Sequence, residues 1–414
     1  MTGAKKMTQK QSTLTPKLRF PEFGNDPTWT PVTLRDVSVP VEEKVGDRKL
    51  TPVSISAGIG FVPQAEKFGR DISGNQYKQY TVVRNGDFVY NKGNSLRFPQ
   101  GCIYQLRDWG EVAAPNVFIC FRLKEGYSDG FFQSCFEKNI HGIQLQRHIT
   151  SGARSNGLLN ISRDTFFDIQ IPTPSLAEQQ KIAECLSTLD ELIEAESRKL
   201  DALKDHKKGL MQQLFPREGE TRPRLRFPEF HDAPEWEEKK VGDIFKVTRG
   251  QVLAMRLVKD TQSDEEPYPV YSSQTKNSGL CGFYSEYLYE EAITWTTDGA
   301  NAGDVNYRPG KFYCTNVCGV LLNNDGYANK CIAALIGNVS RKHVSYVGNP
   351  KLMNGVMSEI VIRVPSIAEQ QRIASSLDSI DNLIAAQSEK LEILRTHKRG
   401  LMQQLFPNPS ELES

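Results

Sequence analysis

The sequence predicts an α+β protein in which two similar β-rich domains are joined by two long helices. The helices are predicted to pack as an antiparallel coiled coil with pseudo-two-fold symmetry. The stretches 175–216 and 366–407 match without a gap at 26 of 42 positions, and both end in the octapeptide GLMQQLFP. A shorter segment, KLRFPEF at 17–23, returns as RLRFPEF at 224–230. The blocks between these repeats are rich in β-forming residues and in Gly and Asn turns.

The order of the repeats divides the chain into segments. A chain of 414 residues is too long for one ordinary domain. We expect a flexible tail at 1–16, a first β-rich domain at 17–174, a central helical spacer at 175–216, a second β-rich domain at 217–365, a C-terminal helical spacer at 366–407 and a tail at 408–414.

Each long repeat carries helix start and stop signals. Ser175 precedes Glu178 by three residues, and Ser366 stands in the same relation to Glu369. This spacing predicts a capping box, in which serine and glutamate satisfy the first free amides reciprocally. A proline ends each repeat. About 40 helical residues correspond to a rod of about 60 Å.

An apolar stripe at a spacing of three and four residues follows each predicted helix. Such a heptad stripe requires a partner helix, and the simplest partner for each copy is the other copy. Packing of each helix on its own neighbouring domain is the alternative. The predicted helix-pair interface consists of Ile182, Leu186, Leu189, Ile193, Leu200, Leu203, Ile373, Leu377, Ile380, Ile384, Leu391 and Leu394.

Two kinds of residue interrupt these helices. Glu196 and Lys207 stand in the apolar stripe of the first copy, and Gln387 and Lys398 in that of the second. Gly209 and Gly400 lie inside the helical pattern, where glycine costs about 1 kcal/mol relative to alanine. Either a close approach of another backbone or a bend would account for the glycines.

The β-rich blocks read as one fold used twice with different side chains. In 80–91, two short strands flank Asn85-Gly86, which is a hairpin signal. The run 291–323 alternates β-formers with turns in the same manner. A constant helical frame with divergent blocks indicates two different reading heads.

Composition and motifs argue against catalysis in this chain. The net charge is only +1, which excludes a uniformly basic coat. The run 303–312 has two residues too many between its glycines for a phosphate-binding P-loop, so we predict a turn between strands. Neither the six histidines nor the eight cysteines show metal-ligand spacing, and scattered thiols favour a cytoplasmic protein. No apolar run approaches the about 20 residues of a membrane span. We therefore predict no catalytic, cofactor or metal site and no membrane contact.

Several polar loops have side chains suited to reading DNA bases. Arginine or lysine pairs with guanine, and asparagine or glutamine pairs with adenine. The candidate DNA-binding residues are Asn91, Lys92, Asn94, Arg97, Arg154, Asn156, Gln274, Lys276, Asn277, Asn301, Arg341 and Lys342.

The assembled pattern resembles the specificity (S) subunit of type I restriction–modification systems. The resemblance rests on Pro-Ser-x-Ala-Glu-Gln-Gln at 174–180 and 365–371, on the two copies of GLMQQLFP and on the LRFPEF segments, and it covers about 17–407. It implies that the β-rich blocks are target-recognition domains, each reading one half of a bipartite, asymmetric sequence in double-stranded DNA.

The resemblance also implies partners that carry the chemistry. Two methyltransferase (M) subunits would bring S-adenosylmethionine and methylate adenine, and restriction (R) subunits would cleave with ATP and magnesium. This chain would be a non-catalytic subunit without a cofactor of its own. The competing class is a non-catalytic protein-binding scaffold with two β-rich modules on a coiled coil, and the Arg, Asn and Gln content of the turns argues against it. A third class, an enzyme acting on DNA alone, is disfavoured by the missing motifs.

The helix length is predicted to set the number of unread base pairs between the two half-sites. Two related antiparallel helices have an approximate two-fold axis, as duplex DNA has, so two heads can face grooves about one helical turn, ~34 Å, apart. Inserting or deleting a helical repeat within 182–207 is expected to change the spacer while both half-sites persist. Mapping methylated adenines measures both quantities, and an unchanged spacer would contradict the prediction.

Overall fold

The chain folds into two compact units. A computed structural model describes residues 14–56, 58–93, 98–149, 158–217, 219–273 and 276–408. Unit 1 comprises Met1–Glu196 with Leu391–Ser414, and unit 2 comprises Ser197–Lys390. Each unit therefore contains one predicted β-rich domain, the first part of the long helix that follows this domain in the sequence, and the last part of the other long helix.

Unit 1 is built on short strands, which are β1 Thr30–Thr33, β2 Ser38–Pro40, β3 Thr51–Ser56, β4 Gly60–Pro63, β5 Thr81–Arg84, β6 Phe88–Asn91, β7 Cys102–Gln105, β8 Glu111–Ala114, β9 Ile119–Leu123 and β10 Gln170–Thr173. Its helices are α1 Leu34–Val37, α2 Gln64–Phe68, α3 Asp129–Glu137, α4 Ile140–Leu145, α5 Arg163–Phe167 and the start of the long helix α6, Leu176–Leu214. Two four-stranded sheets have the orders β2-β9-β6-β7 and β4-β3-β8-β5.

Unit 2 contains the strands β11 Glu237–Lys240, β12 Lys246–Arg249, β13 Tyr268–Tyr271, β14 Leu280–Tyr284, β15 Tyr289–Thr296, β16 Val305–Cys314, β17 Cys318–Leu322 and β18 Val361–Val364. Its helices are α7 Val241–Ile244, α8 Lys330–Ser340, α9 Asn354–Glu359 and the start of the long helix α10, Ile367–Leu405. One six-stranded sheet has the order β12-β17-β15-β16-β13-β14.

A two-stranded antiparallel pair closes each β-rich domain at its base. In unit 1, β1 pairs with β10, and in unit 2, β11 pairs with β18. We call each pair a collar. The enclosed residues 34–169 are head 1, and residues 241–360 are head 2. The collars repeat, and the antiparallel order β2-β9-β6-β7 of head 1 recurs as β12-β17-β15-β16 in head 2. The remaining strands differ, so the prediction of one fold used twice holds for the collars and for this four-stranded core.

Two local predictions were wrong. The turn at Asn85-Gly86 forms, but β5 pairs with β8 while β6 pairs with β7 and β9, so the flanking strands belong to different sheets and make no hairpin. The run 303–312, expected to be a turn, lies mostly in β16. A register shift opposite Glu290–Ala292 lets this strand pass through Pro309-Gly310 without ending.

The two long helices are confirmed, and their first turns differ from the predicted capping box in one respect. The hydroxyls of Ser175 and Ser366 accept long hydrogen bonds of 3.4 Å from the amides of Glu178 and Glu369. The glutamates do not complete the box, because their carboxylates bind arginine instead.

A buried ion pair fixes each LRFPEF segment to the start of a long helix. The guanidinium of Arg19 donates to both oxygens of Glu178 at 2.8 and 2.7 Å, and Arg226 binds Glu369 at the same two distances. Both glutamate side chains are 1% exposed. The same arginines donate to two carbonyls each of the loop that follows, so the loop closes around the charge. Trp29 adds a bond of 3.3 Å to Glu178.

Within each unit the two long helices run antiparallel. In unit 1, Lys398 of α10 binds Asp190 of α6 at 2.6 Å, and the end of α10 packs with the start of α6 in one core. In unit 2, Lys207 of α6 binds Asp381 of α10 at 2.6 Å, and the end of α6 packs with the start of α10. The lysines that interrupt the apolar stripe are thus paired across the helices.

The predicted interface residues are all buried or half-buried, while the exposed apolar residues of these helices lie off the stripe. Part of the stripe also packs on the heads. Ile182 and Leu186 share a core with Phe131 of head 1, and Ile373 and Leu377 share one with Ile332 of head 2. Packing on the neighbouring domain is therefore realised for these residues, and pairing of the two helices along the rest of the stripe stays a prediction.

The repeated octapeptide forms the end of each long helix. The end of α10 lies in unit 1, where α6 begins, and the end of α6 lies in unit 2, where α10 begins. Leu405 and Phe406 pack with Trp29 in the core of unit 1, and Leu214 and Phe215 pack with Trp236 in the core of unit 2. The backbone supports this docking, because the amide of the first leucine in each LRFPEF segment donates 2.9 Å bonds to the last helical turn. The octapeptide occurs twice because each unit needs one.

The helical glycines do not mark a crowded contact. A Cβ atom placed on Gly209 or Gly400 would meet no described atom within 4 Å, and both helices continue through these positions. Of the two explanations, a close backbone approach is excluded for the described residues. Among these residues, no helix is long and apolar enough to cross a membrane.

The buried ion pair predicts a large loss of stability when one partner is removed. Arg226→Met leaves Glu369 buried without its counter-charge, and breaking such a pair costs about 3–5 kcal/mol. Urea unfolding of the full chain measures the change. Lys240→Met is the matched control, because the Lys240–Glu359 pair of unit 2 is exposed at 50% and 69% and its loss is expected to leave the midpoint unchanged. Equal effects of the two variants would contradict the prediction.

Candidate nucleic-acid interface

Two loops that were predicted to read bases meet in head 2. The first loop, 272–279, joins β13 to β14, and the second, 297–304, joins β15 to β16. The side-chain amide of Asn301 donates a 3.0 Å bond to the carbonyl of Ser273 and so ties the loops together. Asn277 of the first loop is exposed and has a φ of +51°, a left-handed conformation that asparagine tolerates better than most residues.

A third segment, after α8, joins this pair of loops. Arg341 forms an ion pair with Asp304, which lies at the end of the second loop. This pairing raises the pKa of the Arg341 guanidinium above its usual value. Lys342 follows it and is exposed. The structure therefore brings Asn277, Asn301 and Arg341 to one side of head 2.

The loops surround a polar cavity of about 330 Å³. Its walls carry the side chains of Ser272, Ser278, Thr294, Thr296 and Asn306 together with the Asp304–Arg341 pair. Arg308 of β16 lies within it and is only 7% exposed. Sequence reasoning missed this arginine, because it stands in the run 303–312 that was assigned to a turn.

In head 1, the bases of the two predicted reading loops lie next to each other. Gly93 forms a β-bridge with Leu158, and the amide of Leu159 donates a 2.9 Å bond to the carbonyl of Lys92. The chain therefore enters one predicted loop and leaves the other at the same place. The predicted residues Asn94, Arg97, Arg154, Asn156 and Gln274 lie outside the described residues, and Lys276 is described for its backbone only.

The two described candidates of head 1 have partners within the protein. The side chain of Asn91 donates to the carbonyl of Ile55 at 3.1 Å and accepts from the amide of Gly93 at 2.8 Å. The ammonium group of Lys92 lies 3.5 Å from the carbonyl of Ile161. These contacts shape the entry to the loops, so the base-reading role of Asn91 and Lys92 stays a prediction.

Within residues 14–56, 58–93, 98–149, 158–217, 219–273 and 276–408, no group of three or more His, Cys, Asp or Glu residues is placed to hold a metal ion. Burial raises the pKa of the Cys102 thiol to about 11 and of the Cys318 thiol to about 11, so these groups stay protonated and unreactive at neutral pH.

Comparison with known proteins identifies the family. The model of the type I restriction modification DNA specificity domain matches residues 75–205 and 234–395. The N-terminus of a putative type I specificity subunit from Mycoplasma pneumoniae is 41% identical over 143 residues, which are 34% of this chain and 75% of that protein. A second putative type I specificity subunit from the same organism is 32% identical over 221 residues, which are 52% of this chain and 84% of the relative.

A solved structure has the same fold. The S subunit of a type I restriction–modification system from M. genitalium superposes with a TM-score of 0.63 at 16% identity, over 95% of this chain and 100% of the other.

Proposed function

Because the chain belongs to the type I restriction modification DNA specificity family, we propose that head 1 and head 2 each read one half of a bipartite, asymmetric DNA target. The subunit supplies sequence specificity and is not itself a catalyst. It would direct the adenine methyltransferase (M) and restriction (R) subunits to that target, and these partners would hold S-adenosylmethionine, ATP and magnesium.

One observation carries this proposal: the frame repeats in both units, while the heads share only a four-stranded core and differ in their other strands. The collars, the buried Arg–Glu pairs and the helix ends recur in both units, yet head 1 has two four-stranded sheets and head 2 has one six-stranded sheet. Two different heads on equivalent supports fit two different half-sites. A scaffold for proteins would not require the polar Arg and Asn side chains that gather on one side of head 2.

The docking of M subunits has a candidate surface on the long helices. Leu192 of α6 and Leu383 of α10 occupy equivalent positions of the repeat and are 43% and 58% exposed. Because this exposed leucine occurs once in each copy of the repeat, the two leucines could each bind one copy of a partner that is present twice. Each leucine would contact one M subunit.

Exchanging one head tests the reading of DNA. Residues 34–169 are replaced by the corresponding head of another family member, so that both collar strands and the helix contacts stay native. Methylated adenines are then mapped in cells that also contain the M subunit. We expect one half-site to change and the other to persist. The matched control is the exchange of 241–360, which is expected to change the opposite half-site.

A change in both half-sites, or in neither, would contradict the division of labour between the heads. Failure of the unaltered chain to direct methylation to any bipartite sequence would contradict the proposed function as a whole.

Charge placed on the helix leucines tests the partner surface. Leu192→Asp or Leu383→Asp alone is expected to reduce the bound M subunits from two to one, and the double variant to weaken binding of both at least tenfold, since burying a leucine contributes about 1.5–3 kcal/mol. Native mass spectrometry of the co-purified complex counts the subunits. Ile59→Asp, at an exposed apolar position of head 1, is the control. Two M subunits retained in the double variant would exclude this surface.

A further inference from the structure

Arg308 lies inside the cavity of head 2 in a fixed orientation. Its Nε donates to the hydroxyl of Thr294 at 3.0 Å, and its Nη2 donates to the carbonyl of Ser278 at 2.6 Å. The guanidinium carbon lies 3.7 Å from the centre of the Tyr271 ring, so the planar group is stacked on an aromatic face. Three contacts from three strands or loops thus hold one side chain that is 7% exposed.

This buried charge has no counter-charge among the described residues. Burial lowers the pKa of the Arg308 guanidinium, and the groups that raise it are a tyrosine and two cysteines rather than a carboxylate. Asp304, the acidic residue of the cavity wall, already pairs with Arg341. Removing an arginine from water without an ion pair is costly unless another negative group completes the site.

The remaining surface of the cavity suits an anion that has several acceptor oxygens. The arginines contribute two positive charges and Asp304 one negative charge, which leaves a net positive site. Serine and threonine hydroxyls supply further donors at the wall. A volume of about 330 Å³ is some ten times the share of one water molecule in the liquid, about 30 Å³, so a group of several heavy atoms fits.

The recessed position of Arg308 distinguishes a phosphate from a base. Base edges lie on the floor of a major groove about 8.5 Å deep, and a side chain must project from the protein to reach them. Phosphates form the outer ridges of the duplex and can enter a concavity in the protein surface. Phosphate contacts fix the register of a protein on DNA without carrying sequence information.

We propose that the Arg308 cavity seats a backbone phosphate of the half-site duplex bound by head 2, with Arg308 as its main ligand. The proposal rests on the proposed function and deepens it. In the free chain the Thr294, Ser278 and Tyr271 contacts preorganise the guanidinium, and the phosphate would supply the missing counter-charge. Head 2 would then be positioned by a buried contact, while exposed residues such as Asn277 read the bases.

The test compares Arg308→Met, Arg308→Lys and the control Lys240→Met in the full complex with M subunits. Affinity is measured against salt on the cognate site and on unrelated duplexes. A charged hydrogen bond contributes enough to expect about tenfold to hundredfold weaker binding of Arg308→Met to all duplexes alike. The salt slope is expected to fall by about 1 and the methylated sequence to stay the same. Arg308→Lys keeps the positive charge but loses the planar guanidinium with its several donors, so its affinity is expected to lie between those of the native complex and Arg308→Met.

Single phosphates of the cognate site are then replaced by neutral methylphosphonates. At one position in the half-site of head 2, the replacement is expected to weaken the native complex and leave Arg308→Met unaffected, because the contact is already lost. If no position shows this coupling while thermal unfolding shows a destabilised head 2, Arg308 is only structural and the proposal fails.

Two other results would also overturn it. A relaxed base preference of Arg308→Met at one half-site position would show base reading. Inorganic phosphate that binds the native complex and not Arg308→Met, without competing with DNA, would show a site for a free anion. If the native complex itself methylates no bipartite site, the proposed function fails. This outcome can be distinguished from the others, because they all concern the Arg308 variants or the binding of phosphate.

Discussion

The buried ion pair between the arginine of each LRFPEF segment and the glutamate at the start of each long helix holds distant stretches of chain together. Arg19 and Arg226 each bind a carboxylate that is 1% exposed, and each also holds the loop that leads to the next tryptophan. The backbone of the same short segment binds the last turn of the other helix. A buried pair of this kind tolerates no partial replacement, since either charge alone would be left without its partner. The LRFPEF segment, the start of one long helix and the end of the other all recur in the sequence, and these three stretches meet at the ion pair.

A second set of paired charges fixes how the helices align. Lys207 with Asp381, and Lys398 with Asp190, are repeat-equivalent pairs in which the lysine stands in a mostly apolar stripe. A polar pair in such a stripe contributes less stability than apolar packing would, but it is satisfied in one register and orientation only. We infer that these pairs select the antiparallel alignment, because in a parallel alignment each lysine would lie away from its aspartate.

The helices could be predicted from the sequence, whereas the contacts of the heads could not. Caps, periodicity and terminal prolines are local signals, and the helices begin and end within two residues of the predicted limits. The Asn85-Gly86 turn was also local, but the partners of β5 and β6 are distant in sequence and nothing in the turn specifies them. Arg308 was missed for a similar reason, since Pro309-Gly310 reads as a strand end and only the tertiary fold reveals a bulge within a continuous strand.

The two long helices and the collars can carry different heads because one of their contacts with each head, made by a buried glutamine, accepts different hydrogen-bond donors. The strands β10 and β18 lead into α6 and α10 within three residues, so each collar is fixed to a helix start. Just inside that start, Gln179 and Gln370 are buried and donate to the carbonyl of the preceding proline. The remaining oxygen of Gln179 accepts from a backbone amide of head 1, whereas that of Gln370 accepts from the side chain of Asn329 in head 2. An amide oxygen accepts from either kind of donor, so the repeated glutamine constrains where a head approaches and not which residue it presents.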